Sequence, residues 1–214
     1  MTFSETRNLL RGVWARLDGP LLAYARFARR AIVLAATMLT VTSLAGAGSV
    51  QVPFSVQAEL LAKVASFDRN FATRAGPRAL VLVMQMPNDA ESAAAAQELK
   101  TALARLPLVG DRPHDEQIVT YSSAAALAEM VRTRKAAIVY FGPGFSKELT
   151  AIRNSSSNVS LLTVGATPDY VEAGIVLGFD LVSGRPKLLI NLSQARKQSV
   201  DFPASVLRLM KVYP

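Results

Sequence analysis

The sequence predicts an α/β domain: one mostly parallel sheet flanked by helices, with an antiparallel hairpin near the C-terminal end. Three observations carry this. Continuous apolar runs at 79–86 ("ALVLVMQM") and 136–142 ("AAIVYFG") are too short for helices and are bounded by Gly-Pro, Pro-Asn or Pro-Gly pairs, as strands buried on both faces would be. Segments of helical propensity alternate with these runs through short connections. The alternation stops at Ser183-Gly184, which stands between two β-rich runs as a two-residue hairpin turn would.

The first helix is expected at 55–71 ("SVQAELLAKVASFDRNF"), where Val56, Leu60, Leu61, Val64, Phe67 and Phe71 recur near the helical period. Asp68 falls between Val64 and Leu61 about the helix axis, inside the apolar arc, with Arg69 and Asn70 on the other side. A carboxylate there needs partners, and Arg69, Arg74 and Arg185 are the candidates. The role this favours for Asp68, with Arg69, is structural, to cap or brace the segment that follows, over contact with a partner. The strand at 79–86 leads to a helix at 89–106, with Asp89 as N-cap, Glu91 in the first turn and Pro107 as the stop. A short strand at 117–121 precedes a helix capped by Ser122 or Ser123, whose end carries Arg132, Arg134 and Lys135. After the strand at 136–142 a helix runs from Pro143-Gly144 to about Arg153, and the serine-rich turn introduces a fourth strand at 158–165. Beyond the hairpin, "NLSQARKQSV" makes a short helix or turn in which Asn191 is a candidate structural polar residue. "PASVLRLMKVY" reads as a final helix with Pro203 in its first turn.

The chemistry this chain can support is limited. It has no cysteine, which removes disulfides, thiolate metal sites and a cysteine nucleophile. His114, the only histidine, stands in the polar segment "GDRPHDEQ" and reads as a solvated loop residue. The strand-to-helix turn "FGPGFS" places Gly142, Gly144 and Ser146 where backbone amides could hold a ligand or an anion. It lacks the third glycine of a dinucleotide fingerprint and the lysine spacing of a P-loop, and a plain tight turn is the favoured reading. Ser146 has no histidine to activate it, and the carboxylates Glu59, Asp68, Asp169, Glu172, Asp180 and Asp201 show no pairing in their spacing. These absences favour a binding protein over an enzyme, and no cofactor or metal is implied.

Charge and hydropathy divide the chain at about residue 48. Six arginines precede that point, the last pair being Arg29-Arg30, and an apolar run follows from Ala31 to about Ala45. "AGA" at 45–47 then offers the small residues of a cleavage site, so residues 1–48 are expected to be a signal peptide with a long basic N-region and 49–214 the exported domain. The run is short for a bilayer span, and an uncleaved N-terminal anchor is the competing reading. Both export the body. The other 18 basic and 14 acidic residues read as a mild excess spread along the chain, without the aromatic-interleaved basic tract of a nucleic-acid groove.

The order of "VQAELLAKVASFDRNF", a buried strand, "AAIVYFGPG" and "VSLLTVGATPDYVEAGIVLGFDLVSGRPKLLINLSQARKQSVDFPASVLRLMKV" resembles the YfiR-like family of periplasmic regulatory proteins over nearly all of residues 49–214. The resemblance implies a periplasmic α/β domain that tends to form a homodimer. It also implies a negative regulator that binds the periplasmic part of an inner-membrane diguanylate cyclase or sensor protein, lowering cyclic di-GMP signalling and biofilm formation. Contact with the membrane would then be made through that partner or through an uncleaved N-terminal anchor. Two departures mark a distinct branch. The cysteines of better-known members are missing, which removes redox control by that route, and "FDRNF" stands where other members tend to place a tryptophan-proline pair. The alternative reading is a periplasmic small-molecule-binding sensor, with its ligand near "FGPG" and "VGATPD" at the carboxyl ends of the parallel strands.

Overall fold

The computed structural model describes residues 51–214, and the expected signal peptide lies outside them. These described residues form one compact unit with its own core. A seven-stranded sheet is ordered β2-β1-β3-β4-β5-β6-β7. Strands β1 (Ala79–Gln85), β2 (His114–Thr120), β3 (Ile138–Phe141), β4 (Leu162–Gly165) and β5 (Leu177–Val182) are parallel to one another. Strand β6 (Arg185–Asn191) returns antiparallel to β5. Ser183 and Gly184 have φ of 50° and 73°, the paired positive values that a two-residue turn matching the strand twist requires.

Alternation along the strands assigns side chains to two layers. Val81, Val83, Ile138, Tyr140, Leu162 and Val164 face one core. That core is closed by helices α1 (Phe54–Ala65), α2 (Phe71–Ala75) and α3 (Ala90–Ala104), and by the C-terminal segment. Leu82, Met84, Val139 and Phe141 face the other, under α4 (Ala124–Arg134), α5 (Leu149–Ser156) and α6 (Pro168–Glu172). Asp89 and Ser123 cap α3 and α4 by accepting from Ser92 and Ala126 N–H, and Asn191 caps α7 (Leu192–Lys197) through Gln194 N–H.

Four expectations are corrected by this arrangement. The first helix ends at Ala65 and not at residue 71: Asp68 N–H bonds Ala65 O and Phe71 N–H bonds Asp68 O, a turn that separates α1 from α2 and leaves Phe67 exposed. The helix after Gly144 begins only at Leu149. His114 is a strand residue, because β2 starts there, in register with Ala79. The final helix is a single turn, α8 (Ala204–Leu207), followed by β7 (Lys211–Tyr213) parallel to β6. Burying Met210 and pairing Val212 with Ile190 wins over continuing the helix, which suits a β-branched residue beside a tyrosine.

Candidate functional site

In an open parallel sheet the natural ligand position is the crevice at the carboxyl ends of the strands, where the strand order reverses. Here the order reverses between β1 and β3. The crevice is therefore bounded by the turn leaving β1, residues 86–89, and the turn leaving β3, residues 142–148. Gly142, Gly144 and Ser146 lie on the second turn.

The inner end of that turn is already occupied. Tyr170, from α6, is almost fully buried; its hydroxyl donates to Gly142 O at 3.1 Å and accepts from Phe145 N–H at 2.9 Å. The ring fits only because β4 ends in Gly165, where a Cβ would lie 2.7 Å from Tyr170 Cβ. Burial pushes the Tyr170 phenol above its ordinary range, so it stays a neutral clamp. Gly144 adopts φ 95°, and a Cβ on it would stand 2.8 Å from Asp89 Oδ2. On the other side Tyr121 Oη donates to Glu148 Oε2 at 3.0 Å; burial first, then Glu148, pushes this phenol up to about 12. This is the setting of the expected ligand or anion turn at Gly142, Gly144 and Ser146. The Phe145 amide is taken by Tyr170, the acidic Asp89 and Glu148 adjoin the turn while Lys147 is exposed on it, and no helix starts until Leu149. Ser146 is exposed at the rim.

Asp68 lies at the opposite end of the sheet, with almost no exposure. Its Oδ2 is 2.6 Å from Arg74 Nη1, and both side chains are buried, at 0 % and 2 % exposure. Its Oδ1 accepts Asn70 N–H at 3.1 Å and Asp201 N–H at 2.9 Å. One carboxylate thereby holds the start of α2 and the segment after α7. Arg74 completes the joint by donating from Nη2 to Ser199 O and from Nε to Ser160 Oγ. Arg69 adds an exposed pair with Asp201 at 3.1 Å and bonds Asp201 O through its own N–H. Of the arginines considered from sequence, Arg74 makes the buried pair, Arg69 reaches only Asp201, and Arg185 lies on the hairpin. Asn191 is buried 8 % exposed, caps α7 and donates from Nδ2 to Val171 O at 3.1 Å.

Besides a cleft of about 520 Å³ against the turn leaving β1, lined by Met86, Asn88, Asp89 and Thr120 among others, two open clefts are of ligand size. One, about 730 Å³, lies between the start of α1 and α3, lined by Val52, Phe54, Gln97, Glu98, Thr101 and Arg105 among others. The other, about 640 Å³, is lined by Asn70, Thr73, Arg74, Arg132, Lys135 and Ser160 among others. Its basic character is largely internal: Arg74 is bound by Asp68, and Arg132 pairs with Glu129 at 2.7 Å. Among the described residues no group of three or more His, Asp or Glu could hold a metal ion, and no helix is long and apolar enough to cross a membrane.

Several buried polar residues escaped the reading of the sequence. Gln57 accepts the Tyr140 hydroxyl at 2.7 Å and donates to Val52 O at 2.7 Å, tying the N-terminal end of α1 to the centre of the sheet. Gln198 Oε1 accepts from Thr163 Oγ1 at 3.0 Å, and its Nε2 donates to Ser156 Oγ at 2.9 Å. Gln57 shares the inward stripe of Leu61 and Val64, so a polar residue on an apolar helix face was the available signal. His114 is also buried at its side chain: Nε2 lies 3.0 Å from Leu106 O, and Nδ1 lies 2.6 Å from Glu116 Oε1 but out of line for a hydrogen bond.

With this geometry in view, the comparisons with known proteins are specific. The model of the YfiR/HmsC-like family, DUF4154, matches residues 54–211, and the chain belongs to that family. Among solved structures, a conserved domain protein from Vibrio cholerae O1 biovar El Tor is 17 % identical with a TM-score of 0.50 over 75 % of this chain and 60 % of that one. An ABC domain from Streptococcus pneumoniae, solved in complex with L-Trp, is 14 % identical with a TM-score of 0.53 over 75 % and 60 %. The chain spans about 60 % of the length of both, and at these identities the likeness is one of fold. No curated protein matches the chain.

Proposed function

We propose that this chain is a periplasmic negative regulator that binds the periplasmic part of an inner-membrane diguanylate cyclase and lowers cyclic di-GMP synthesis. The observation that carries this is the family match across 54–211, which takes in every strand of the sheet except the last two residues of β7. The site chemistry supports it: the crevice that an α/β enzyme would use is clamped by Tyr170, and the Asp68–Arg74 joint is built from architectural bonds. Regulation is by contact, and no residue is assigned a catalytic role. The family resemblance also supports export, with residues 1–48 as the signal, and a homodimer, which sedimentation of residues 50–214 would measure.

The test is genetic. Deleting the gene raises cyclic di-GMP in a strain that retains the cyclase and leaves it unchanged in a strain lacking the cyclase. An equal rise in both strains removes the proposal. The second reading, a ligand-binding sensor, draws on the cleft of about 730 Å³ beside α1, which is large enough for a small molecule. A metabolite that raises the melting temperature in proportion to its saturation supports it.

A further inference from the structure

The basic residues are not spread evenly along the described chain. Residues 182–214 carry Arg185, Lys187, Arg196, Lys197, Arg208 and Lys211 against Asp201 alone, whereas residues 50–181 carry slightly more acid than base. The mild excess read from the sequence as dispersed therefore belongs to the last 33 residues. Asp201 is moreover paired with Arg69.

The topology gathers four of these six cations at one edge. β4 and β5 pair only at Val164↔Leu177 and Gly165↔Gly178, so the rest of β5 and the hairpin project past the carboxyl end of the parallel sheet. Val182 is opposite Arg185 and Asp180 opposite Lys187, which places Arg185 and Lys187 on one face of the ribbon. Lys211 is opposite Leu189 on that same face, and Arg208 leads into β7. From Arg185 to Leu189 the rim is about 13 Å long at about 3.3 Å per residue. Among the described residues, three of the five exposed large apolar side chains stand on this edge: Val182, Leu209 and Val212, at 51 %, 68 % and 44 % exposure. Arg185, Lys187 and Arg208 make no ion pair among the described residues. Asp180 and Glu172 are the carboxylates beside Lys211; Asp180 accepts Leu181 N–H and Glu172 accepts the Tyr213 hydroxyl, and the rim stays net basic.

Strand addition does not fit this edge. Asn191 N–H points inward to Val176 O, so the alternate residue Pro186 directs its backbone outward, where it has no N–H to offer, and β7 is three residues long. The 730 and 640 Å³ clefts are lined by other residues. What remains is a set of isolated apolar tips among long cations without fixed partners, an arrangement in which stems and tips enter an interface while charges meet phosphates. We propose that this rim docks directly on an anionic phospholipid bilayer surface, with Val182 and Leu209 in the headgroup region and Arg185, Lys187, Arg208 and Lys211 on the phosphates. Such contact is additional to any made through a membrane partner or an N-terminal anchor.

Residues 50–214, which lack the apolar run at 31–45, are the material for the test, by flotation with vesicles. Wild type binds vesicles of mixed phosphatidylglycerol and phosphatidylethanolamine and not vesicles of phosphatidylcholine. The triple reversal Arg185→Glu, Lys187→Glu, Arg208→Glu weakens binding at least about ten-fold, and Leu209→Ser weakens it about three-fold. Arg185, Arg208 and Leu209 are exposed and Lys187 is half-buried without an ion pair, so the melting temperature should hold. Should the reversal unfold the domain, the neutral triple variant with glutamine at 185, 187 and 208 serves in its place. Equal binding to both vesicle types overturns the proposal, as does charge-independent binding. So does capture of soluble polyglutamate in place of vesicles, which would mark an acidic protein partner.

Discussion

Replacing Asp68 by alanine tests the joint at the end of α1. The substitution leaves the buried Arg74 guanidinium without its counter-ion at 2.6 Å and frees two amides, those of Asn70 and Asp201. Breaking a buried pair by removing one partner costs about 3–5 kcal/mol. Each orphaned buried amide costs about 1–3 kcal/mol, but these bonds share one carboxylate and do not add in full. A total of about 4–5 kcal/mol corresponds to a fall of about 10–15 °C in melting temperature for a domain of this size. Thermal melts followed by circular dichroism, with urea midpoints as a second measure, read it directly. Asp68→Asn keeps an oxygen for both amides and loses only the charge, so it falls between wild type and alanine. Adding Arg74→Met to Asp68→Ala recovers part of the loss, because the unpaired charge is gone. A shift below about 2 °C for Asp68→Ala, or no recovery in the double variant, would refute the architectural role.

Two further outcomes follow from the buried tyrosines. Tyr170→Phe leaves Gly142 O and the Phe145 amide without their shared partner, at a cost of about 1–3 kcal/mol, and melts about 3–8 °C lower. Stability also declines at alkaline pH. The phenols of Tyr121, Tyr140 and Tyr170 are raised above their ordinary value of 10.0, chiefly by burial, so above that pH the unfolded chain releases protons that the folded chain keeps. Their contribution is whole below pH 10.0 and for Tyr121 is lost by about pH 12; urea midpoints across this interval measure the decline, and a flat profile contradicts it.

The parts of the fold that sequence made legible are those set by local pattern. β1 and β3 are apolar on both faces and bounded by turn residues, and Ser183-Gly184 has the positive φ values its hairpin needs. The break in the first helix was hidden because Phe67 and Phe71 prolong the apolar period across a turn that Asp68 holds through partners far along the chain. The start of β2 is hidden because "HDEQ" is polar throughout and reads locally as loop, although its burial alternates along an edge strand. β7 was missed because "LRLMKV" also fits a helix, and only the partner strand β6 decides otherwise. At the candidate crevice the glycines were visible, but the residue that closes it was not. Tyr170 reaches Gly142 from 28 positions away, a contact no local spacing encodes.

The most direct test of the regulatory reading is a binding measurement with residues 50–214 immobilised and detergent-solubilised inner membranes as analyte. The account predicts that a membrane diguanylate cyclase is retained, and that its isolated periplasmic segment competes for the same protein. Retention of no cyclase, with the immobilised domain shown by its thermal melt to be folded, would contradict it.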